Sequence, residues 1–361
     1  MEKPLILNKA QQNRLKEAIS DDKKPEVLLF RILGPQLQDR FTQMMNLDGV
    51  PQLLLHGNPH LDNYARTHNG AGLLDFDRSR IGPSLWDITR ALTSITFWSA
   101  KDKVIPNNKV ATLLFDSYVD AIEDRLKYWQ TPDFLRQVKP KKFQLTAQQY
   151  LASGKKWVKK LQQNLVDPSD QLYEGLYAAY LATLPKNSLI HWTLAEVAEV
   201  SGSMGKKHFV YLLQPTIETR EPILLDIKET YTEVDNEFFY NPFDHEGERM
   251  VAASRIYSPG LEEGIGFCTY DGEDYWVRQI PTFSAKVPVG LSHDEALQLG
   301  KEIGTQLGRG HRVIDEIYTD GALKDDLIRA LKDHQSQLIE VCVKLNQSVL
   351  DCYAKYKSIL Q

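Results

Sequence analysis

The feature that most constrains this fold is a change of texture near Pro185. Upstream, apolar residues recur at helical spacing, as in Ile88, Leu92 and Ile95, or Val110, Leu114, Tyr118 and Ile122. Residues 193–280 are instead rich in β-branched and aromatic residues, punctuated by Gly, Pro and Asp. From Ser292 the helical spacing returns, opened by a Ser292–Glu295 capping box. A chain that gathers its strands between two helical stretches is expected to be α+β rather than an alternating α/β fold. The pattern predicts strands near 194–200, 208–213, 223–228, 265–270 and 275–280, with one helix near 246–256. Helices are expected over 8–19, 36–45, much of 84–164, 172–183, 292–310 and most of 323–360. Residues 21–25 read as a surface break. Two short apolar runs, 51–55 and 72–75, read as strands joined into a hairpin by the Asn69-Gly70 turn. The expected domains are a helical one over 1–190, a β-rich one over 191–283, and helices over 284–361 that complete the first.

With 361 residues, 42% of them hydrophobic and 25% charged, the chain can bury a large core. A net charge of -5 gives no general attraction to nucleic acid or anionic lipid, so neither is expected as a partner. No window approaches a membrane span, and the N-terminal apolar run is too short for a signal peptide. Cys268, Cys342 and Cys352 are few and form no C-x-x-C pair. That predicts a cytoplasmic protein with neither a disulfide frame nor a zinc site.

Two groups of residues carry chemistry. The first runs from His56 through Gly57, Asn58, Pro59, His60, Leu61 and Asp62 to Asn63, and is followed by Asp75, Phe76 and Asp77. His56 and His60 have the spacing of a helical metal pair, but Pro59 argues against a helix here. The second lies in the β-rich segment. Gly202, Ser203 and Gly205 sit between two expected strands, where a plain turn and a phosphate-cradling turn are both open readings. Lys228 lies in an apolar strand, where an unpaired ammonium is costly. Its acidic partner is expected from the next helix, with Glu248 preferred to Glu246; either could equally be a first-turn acid. Arg278, Gln279 and Ile280 lead out of the last strand, where backbone groups could receive a base. Lys155, Lys156, Lys159 and Lys160 read as a solvated helix face, and Lys286 as a surface lysine. There is neither a P-loop nor a full dinucleotide fingerprint.

The His56 loop resembles the H-G-D-x-x-x-x-N loop of antibiotic- and choline-type kinases, which is followed by an Asp-Phe pair on a nearby strand. The resemblance implies ATP and Mg²⁺ as cofactors, with Asn63 and Asp75 as metal ligands and Asp77 facing either a second metal or solvent. It implies that His56 orders the loop and that Asp87 either anchors it or simply starts a helix. It puts Asn58 where the catalytic base belongs, with Asp62 the nearest carboxylate in sequence.

Taken together, the motifs resemble a bacterial family catalogued as domain of unknown function 2252. The matching stretches are Gly57 to His60 with Asn63 and Tyr64; Asp75, Phe76 and Asp77; Gly82 and Pro83 with Asp87 and Arg90. They continue with Gly202 to Gly205, Lys228 and Glu229, Arg249 to Val251, Val277 to Gln279, and Leu307 to His311. This resemblance covers roughly residues 50–315 and implies a two-lobed protein-kinase-like fold in circularly permuted order. A small β-rich lobe would follow the catalytic loop, and Arg309–His311 would neighbour residues 52–56 in the large helical lobe. The chain departs from the pattern at Asn58, at Arg78, and at Val200 in place of the first loop glycine. Three functions stay open. One is a kinase-like phosphotransferase whose acceptor is an unknown small molecule or protein. The second is an inactive pseudokinase-type nucleotide- or partner-binding module, and the third a nucleotidyl transferase. Lys228, Asn63 and Asp75 favour a nucleotide in all three, while Asn58 shifts weight toward the second.

Overall fold

The computed structural model describes residues 4–20, 24–99, 108–138, 146–186, 188–200 and 206–360. The elements begin with helices α1 (Lys9–Ser20), α2 (Pro25–Ile32) and α3 (Gly34–Met44). Next come β1 (Gln52–Leu55), a 3₁₀ turn (Leu61–Asn63), β2 (Tyr64–Thr67), β3 (Gly70–Leu73) and β4 (Arg80–Pro83). Helices α4 (Leu85–Trp98), α5 (Asn108–Ile122), α6 (Asp133–Arg136), α7 (Ala147–Leu151) and α8 (Lys156–Gln163) follow. The β-rich stretch contains β5 (Leu165–Val166), α9 (Gln171–Thr183), β6 (Trp192–Glu199), β7 (His208–Pro215) and β8 (Ile223–Glu229). It continues through α10 (Glu246–Tyr257), β9 (Gly266–Tyr270), β10 (Glu273–Gln279) and β11 (Ala285–Lys286). Two long helices, α11 (His293–Thr319) and α12 (Lys324–Leu360), close the chain. The mixed α+β class expected from the texture is what folds. Among the described residues no helix is long and apolar enough to cross a membrane.

The chain divides into two compact units. The first contains Met1–Tyr64, Ile81–Phe134 and Lys286–Gln361, and the second contains Ala65–Arg80 and Leu135–Ala285. Residues 65–80 and 135–190, assigned to the helical domain by texture, thus belong to the second unit. The expected hairpin is also redrawn. Strand β3 pairs with β2, whereas the run 51–55 forms β1 and pairs with β4. The Asn69-Gly70 turn does what its sequence promises, with Gly70 at φ +127°, but it joins β2 to β3.

The first unit is built around α4, α5, α11 and α12. All of α4 from Leu85 to Ile95 is buried, an all-round burial expected of a central helix. Helix α11 packs on α5 and against β1, so Arg309–His311 and residues 52–56 lie in neighbouring elements of one unit, as expected. The contact between α5 and α11 is set by glycines one helical turn apart. A Cβ at Gly300 would come 3.2 Å from the carbonyl oxygen of Val110. At Gly304 and Gly308 it would overlap the carbonyl oxygens of Leu114 and Tyr118. Only a residue without a side chain allows backbones this close.

The second unit contains a six-stranded antiparallel sheet in the order β5-β6-β7-β8-β10-β9. Its strands alternate between two environments, as a period of two requires. Phe209, Tyr211, Leu225, Ile227, Tyr275 and Val277 face one core, with Tyr173, Leu176 and Tyr180 of α9. On the opposite face, Ala198, Val200, Val210, Leu212, Leu224 and Ile280 pack with Tyr150 of α7 and Val158 and Leu161 of α8. That second face continues into a charged strip at His208, Asp226, Lys228 and Arg278.

The glycine contact yields a sharp expectation. Gly304→Ala introduces a better helix former, yet should destabilise the protein by about 1–3 kcal/mol, because the methyl meets backbone that cannot rotate away. Denaturant unfolding would show it; unchanged or raised stability would refute the close-packed interface.

Candidate functional site

In the first unit the His56 loop is held from beneath by one buried carboxylate. Asp87, at the start of α4, accepts from the backbone N–H of His56 through Oδ2 (2.8 Å) and of Gly57 through Oδ1 (2.9 Å). Gly57 adopts φ +81°, a conformation that favours glycine, and its carbonyl accepts from Trp86 Nε1 at 2.7 Å. His311 Nε2 lies 3.6 Å from Asp87 Oδ2, and Tyr118 Oη lies 2.7 Å from His311 Nδ1. Asp87 is therefore a loop anchor, beyond its place at a helix start.

Asn58 is buried within that loop. Its Oδ1 accepts from Arg90 Nε at 2.9 Å. The same guanidinium donates to the Phe30 carbonyl at 2.9 Å and lies 3.7 Å from the centre of the Phe30 ring. The Asn58 carbonyl accepts from the backbone of His60 (2.8 Å) and from Asn63 Nδ2 (3.4 Å). His56 Nδ1 accepts from the Asn58 backbone at 3.4 Å, consistent with a loop-ordering role. Asp62 is bound on both sides. Arg31 Nη1 lies 2.9 Å from one carboxylate oxygen, and Lys286 Nζ 3.2 Å from the other. Lys286 also donates to the Asp62 carbonyl at 2.9 Å, which gives this exposed lysine a defined partner. His60 is buried beside Trp98, ring centroids 6.3 Å apart and nearly parallel. Its Nδ1 has no hydrogen-bond partner among the described residues. Burial, and then the charges of Arg90 and Arg31, hold the His60 pKa well below its ordinary 6.5.

The second unit brings Asp77 within electrostatic reach of Asp75 and Lys228, and Arg278 within reach of Asp75. Asp226 sits at the centre of the cationic part. It is fully buried, on the same strand face as Lys228, two residues away. Its Oδ1 is hydrogen-bonded to His208 Nε2, and its Oδ2 lies 3.2 Å from Arg278 Nε and 3.5 Å from Lys228 Nζ. Burial alone would push its carboxyl up; Lys228, the His208 hydrogen bond and Arg278 outweigh that and hold it well below the usual range. Arg278 also pairs with Glu262 at 2.9 Å. The lysine's carboxylate is thus Asp226 and not a residue of the following helix. Glu246 is paired with Arg249 at 2.7 Å, and Glu248 is exposed.

Asp75 takes the left-handed backbone at φ +69°, a costly conformation for a non-glycine residue that turns the chain sharply after β3. Asp77, two residues on, accepts from Tyr231 Oη at 3.3 Å. Burial and then the neighbouring Asp75 raise its carboxyl to about 6, against the pull of Arg78 and Lys228. Arg249 of α10 steadies this turn by donating to the Asp77 carbonyl at 3.2 Å and to the Ser79 carbonyl. Among the described residues, no group of three or more His, Cys, Asp or Glu side chains is placed to hold a metal. Gly202, Ser203 and Gly205 lie outside the described residues. Asn58, Asp62, His56 and Asn63 belong to the first unit; Asp75, Asp77, Lys228, Glu248 and Arg278 belong to the second.

The partners that sequence reasoning missed are Asp226, Glu262 and His208; Arg249 is legible only as a motif residue, without a partner. Asp226 had a readable signal, since a period of two puts it beside Lys228. Glu262 had none beyond being charged.

Comparison with known families divides the chain in two. Residues 4–136 match the model of a phosphotransferase enzyme family. Residues 134–358 match the family described as an uncharacterized protein conserved in bacteria (DUF2252). That second match covers more than half of the chain, and the protein belongs to this family. The Gly57–Arg90 motifs fall within the phosphotransferase match, so the two resemblances seen in sequence are carried by successive stretches. No curated protein and no solved structure matches the chain.

Buried and neutral His60 makes the first unit acid-sensitive. Its folded pKa is lowered, so below pH 6.5 the unfolded chain binds the extra proton and stability falls with pH. His60→Phe keeps the stacking on Trp98 and removes the proton site. Between pH 7.5 and 5.5 the wild type should lose about 1 kcal/mol more than this variant, by denaturant titration. Parallel pH profiles would contradict the assignment.

Proposed function

We infer that this protein binds ATP with Mg²⁺ in the manner of a kinase-like phosphotransferase, with its phosphoryl-transfer step weakened at Asn58. The observation that carries the reading is the cluster around Asp226. Two basic side chains, Lys228 of β8 and Arg278 of β10, meet at Asp226 on one face of the sheet, within electrostatic range of the Asp75–Asp77 turn. Cations that can receive phosphate oxygens, beside carboxylates that can receive a metal, are the donor set a metal–nucleotide requires. Mg²⁺ needs only one or two protein carboxylates, the rest of its shell coming from phosphates and water. A turn with two acids therefore fits it, although no three-ligand cluster is present among the described residues. Asp75 and Asp77 would hold the metal. Lys228 and Arg278 would receive phosphates. The permuted two-lobed kinase plan, in which the strand-rich part follows the loop, is part of the same proposal. It is supported by the phosphotransferase match lying wholly upstream of the main sheet.

A specific observation favours slow transfer. Asn58 cannot accept a proton at neutral pH, and its amide oxygen is engaged by Arg90. Asp62, the nearest carboxylate in sequence, is held between Arg31 and Lys286. No carboxylate of the loop is thus positioned to take up the missing role. A base typically contributes about 10²–10⁴-fold, so nucleotide binding with slow turnover is expected. The acceptor is a small molecule or a protein hydroxyl.

Lys228→Met should weaken Mg-ATP binding at least about ten-fold in calorimetry, since it removes one phosphate-facing charge and roughly conserves volume. Asn58→Asp should raise ADP release with little change in ATP affinity. Unchanged affinity in the first variant would sink the phosphate role of Lys228; release of pyrophosphate instead of ADP would redirect the reading to nucleotidyl transfer.

A further inference from the structure

Helix α8 carries four lysines in or next to it, and sequence periodicity reads them as one solvated face. The structure separates them. Lys155 and Lys159 are exposed, whereas Lys160 is half-buried against the charged strip of the sheet. The helix is seated by Val158 and Leu161, which pack with Ala198, Val200 and Val210. Trp157 of the same helix meets His208 edge to face, ring centroids 5.6 Å apart. His208 is hydrogen-bonded to Asp226, which is shared by Lys228 and Arg278. Lys160 Nζ lies 4.7 Å from the centre of the Trp157 ring. A continuous run of contacts thus joins Lys160 to the two cations of the candidate nucleotide site.

The charges acting on Lys160 do not balance. Lys156 and Lys228 repel it, and Asp226, already committed to His208, Lys228 and Arg278, attracts it. Among the described residues Lys160 forms no ion pair of its own, although many charged side chains in the second unit do. Partial burial and the like charges of Lys156 and Lys228 lower its pKa. Lys160 is thus a partly desolvated cation, within electrostatic reach of Lys228, on the helix that packs against this face of the sheet.

We propose that Lys160 is a third phosphate-binding cation, and that α8 together with the Lys228–Arg278 strand face forms a site for a polyphosphate chain, the triphosphate of a nucleotide. This rests on the nucleotide-binding reading above and deepens it, because it assigns affinity to a helix that precedes the main sheet in sequence. Lys156, over the other reach of Trp157 at 5.9 Å, adds to the field without a fixed position.

The test compares wild type, Lys160→Gln and Lys159→Gln by calorimetry at low ionic strength, with inorganic tripolyphosphate and with Mg-ATP as separate probes. Lys159→Gln removes the same charge from the exposed face of the same helix. The proposal expects Lys160→Gln to weaken tripolyphosphate binding at least about five-fold while Lys159→Gln stays within about two-fold of wild type. Equal affinities in the two variants would overturn it and leave the nucleotide reading standing. Lys160-dependent binding of tripolyphosphate without any binding of Mg-ATP would uphold the polyanion site and reject the nucleotide. Binding of neither probe by the wild type would overturn both.

Discussion

The candidate chemistry of this protein depends on one buried carboxylate, Asp226. It follows three apolar residues on its strand, Ile223 to Leu225, and it carries no exposure to water. An isolated charge there would be prohibitively costly. Three partners offset that cost, and in doing so they acquire fixed positions. His208 comes from the neighbouring strand β7, Arg278 from β10 on the other side, and Lys228 from two residues along the same strand. The sheet register thus determines which cations meet, and the carboxylate determines where their charged ends rest. Removing one member of such a cluster leaves a buried charge unpaired, so its parts are expected to act as a unit. The cluster is also where the second unit departs from an ordinary sheet. One face is a dry aromatic core with α9, while the other grades from the apolar seat of α7 and α8 into charge.

A second buried carboxylate does comparable work in the first unit. Asp87 spends both oxygens on backbone N–H groups of the His56 loop, so the loop's shape is set by hydrogen bonds that substitution of loop side chains does not remove. This explains how the loop keeps its shape with an amide side chain at Asn58. Its amide oxygen still receives Arg90, as a carboxylate oxygen would, and its backbone still bonds to His60 and Asn63. In the second unit, Arg249 reinforces the Asp75–Asp77 turn in the same way, from helix to backbone carbonyls.

Much of this was legible in the sequence because it rests on short-range patterns. The strands from 194 to 280, α10 and the Ser292 capping box lie where periodicity and turn chemistry put them. What was not legible depends on tertiary pairing. Strand β4, with its Gly82-Pro83 end, looks like a loop until β1 supplies a partner. Helix α2 was hidden because Pro25 reads as a break, whereas here it sits at the first helical position, where its missing N–H costs nothing. The preference for Glu248 failed for a similar reason. Helix phase alone could not reveal that Arg249 turns Glu246 inward, leaving Glu248 exposed and Lys228 to a strand neighbour. For Lys160, sequence gave only its membership of a basic face; burial against Trp157 and the strip distinguished it.

The account's central claim is that Asp226 serves the site by positioning Lys228 and Arg278. Charge counting alone gives the opposite expectation, since removing an anion beside two cations should strengthen the attraction for phosphate. Measurement of Mg-ATP affinity for Asp226→Asn, on protein retaining wild-type circular dichroism, separates the two. The account predicts weaker binding, because the cations lose the group that fixes them. Unchanged or tighter binding would contradict it.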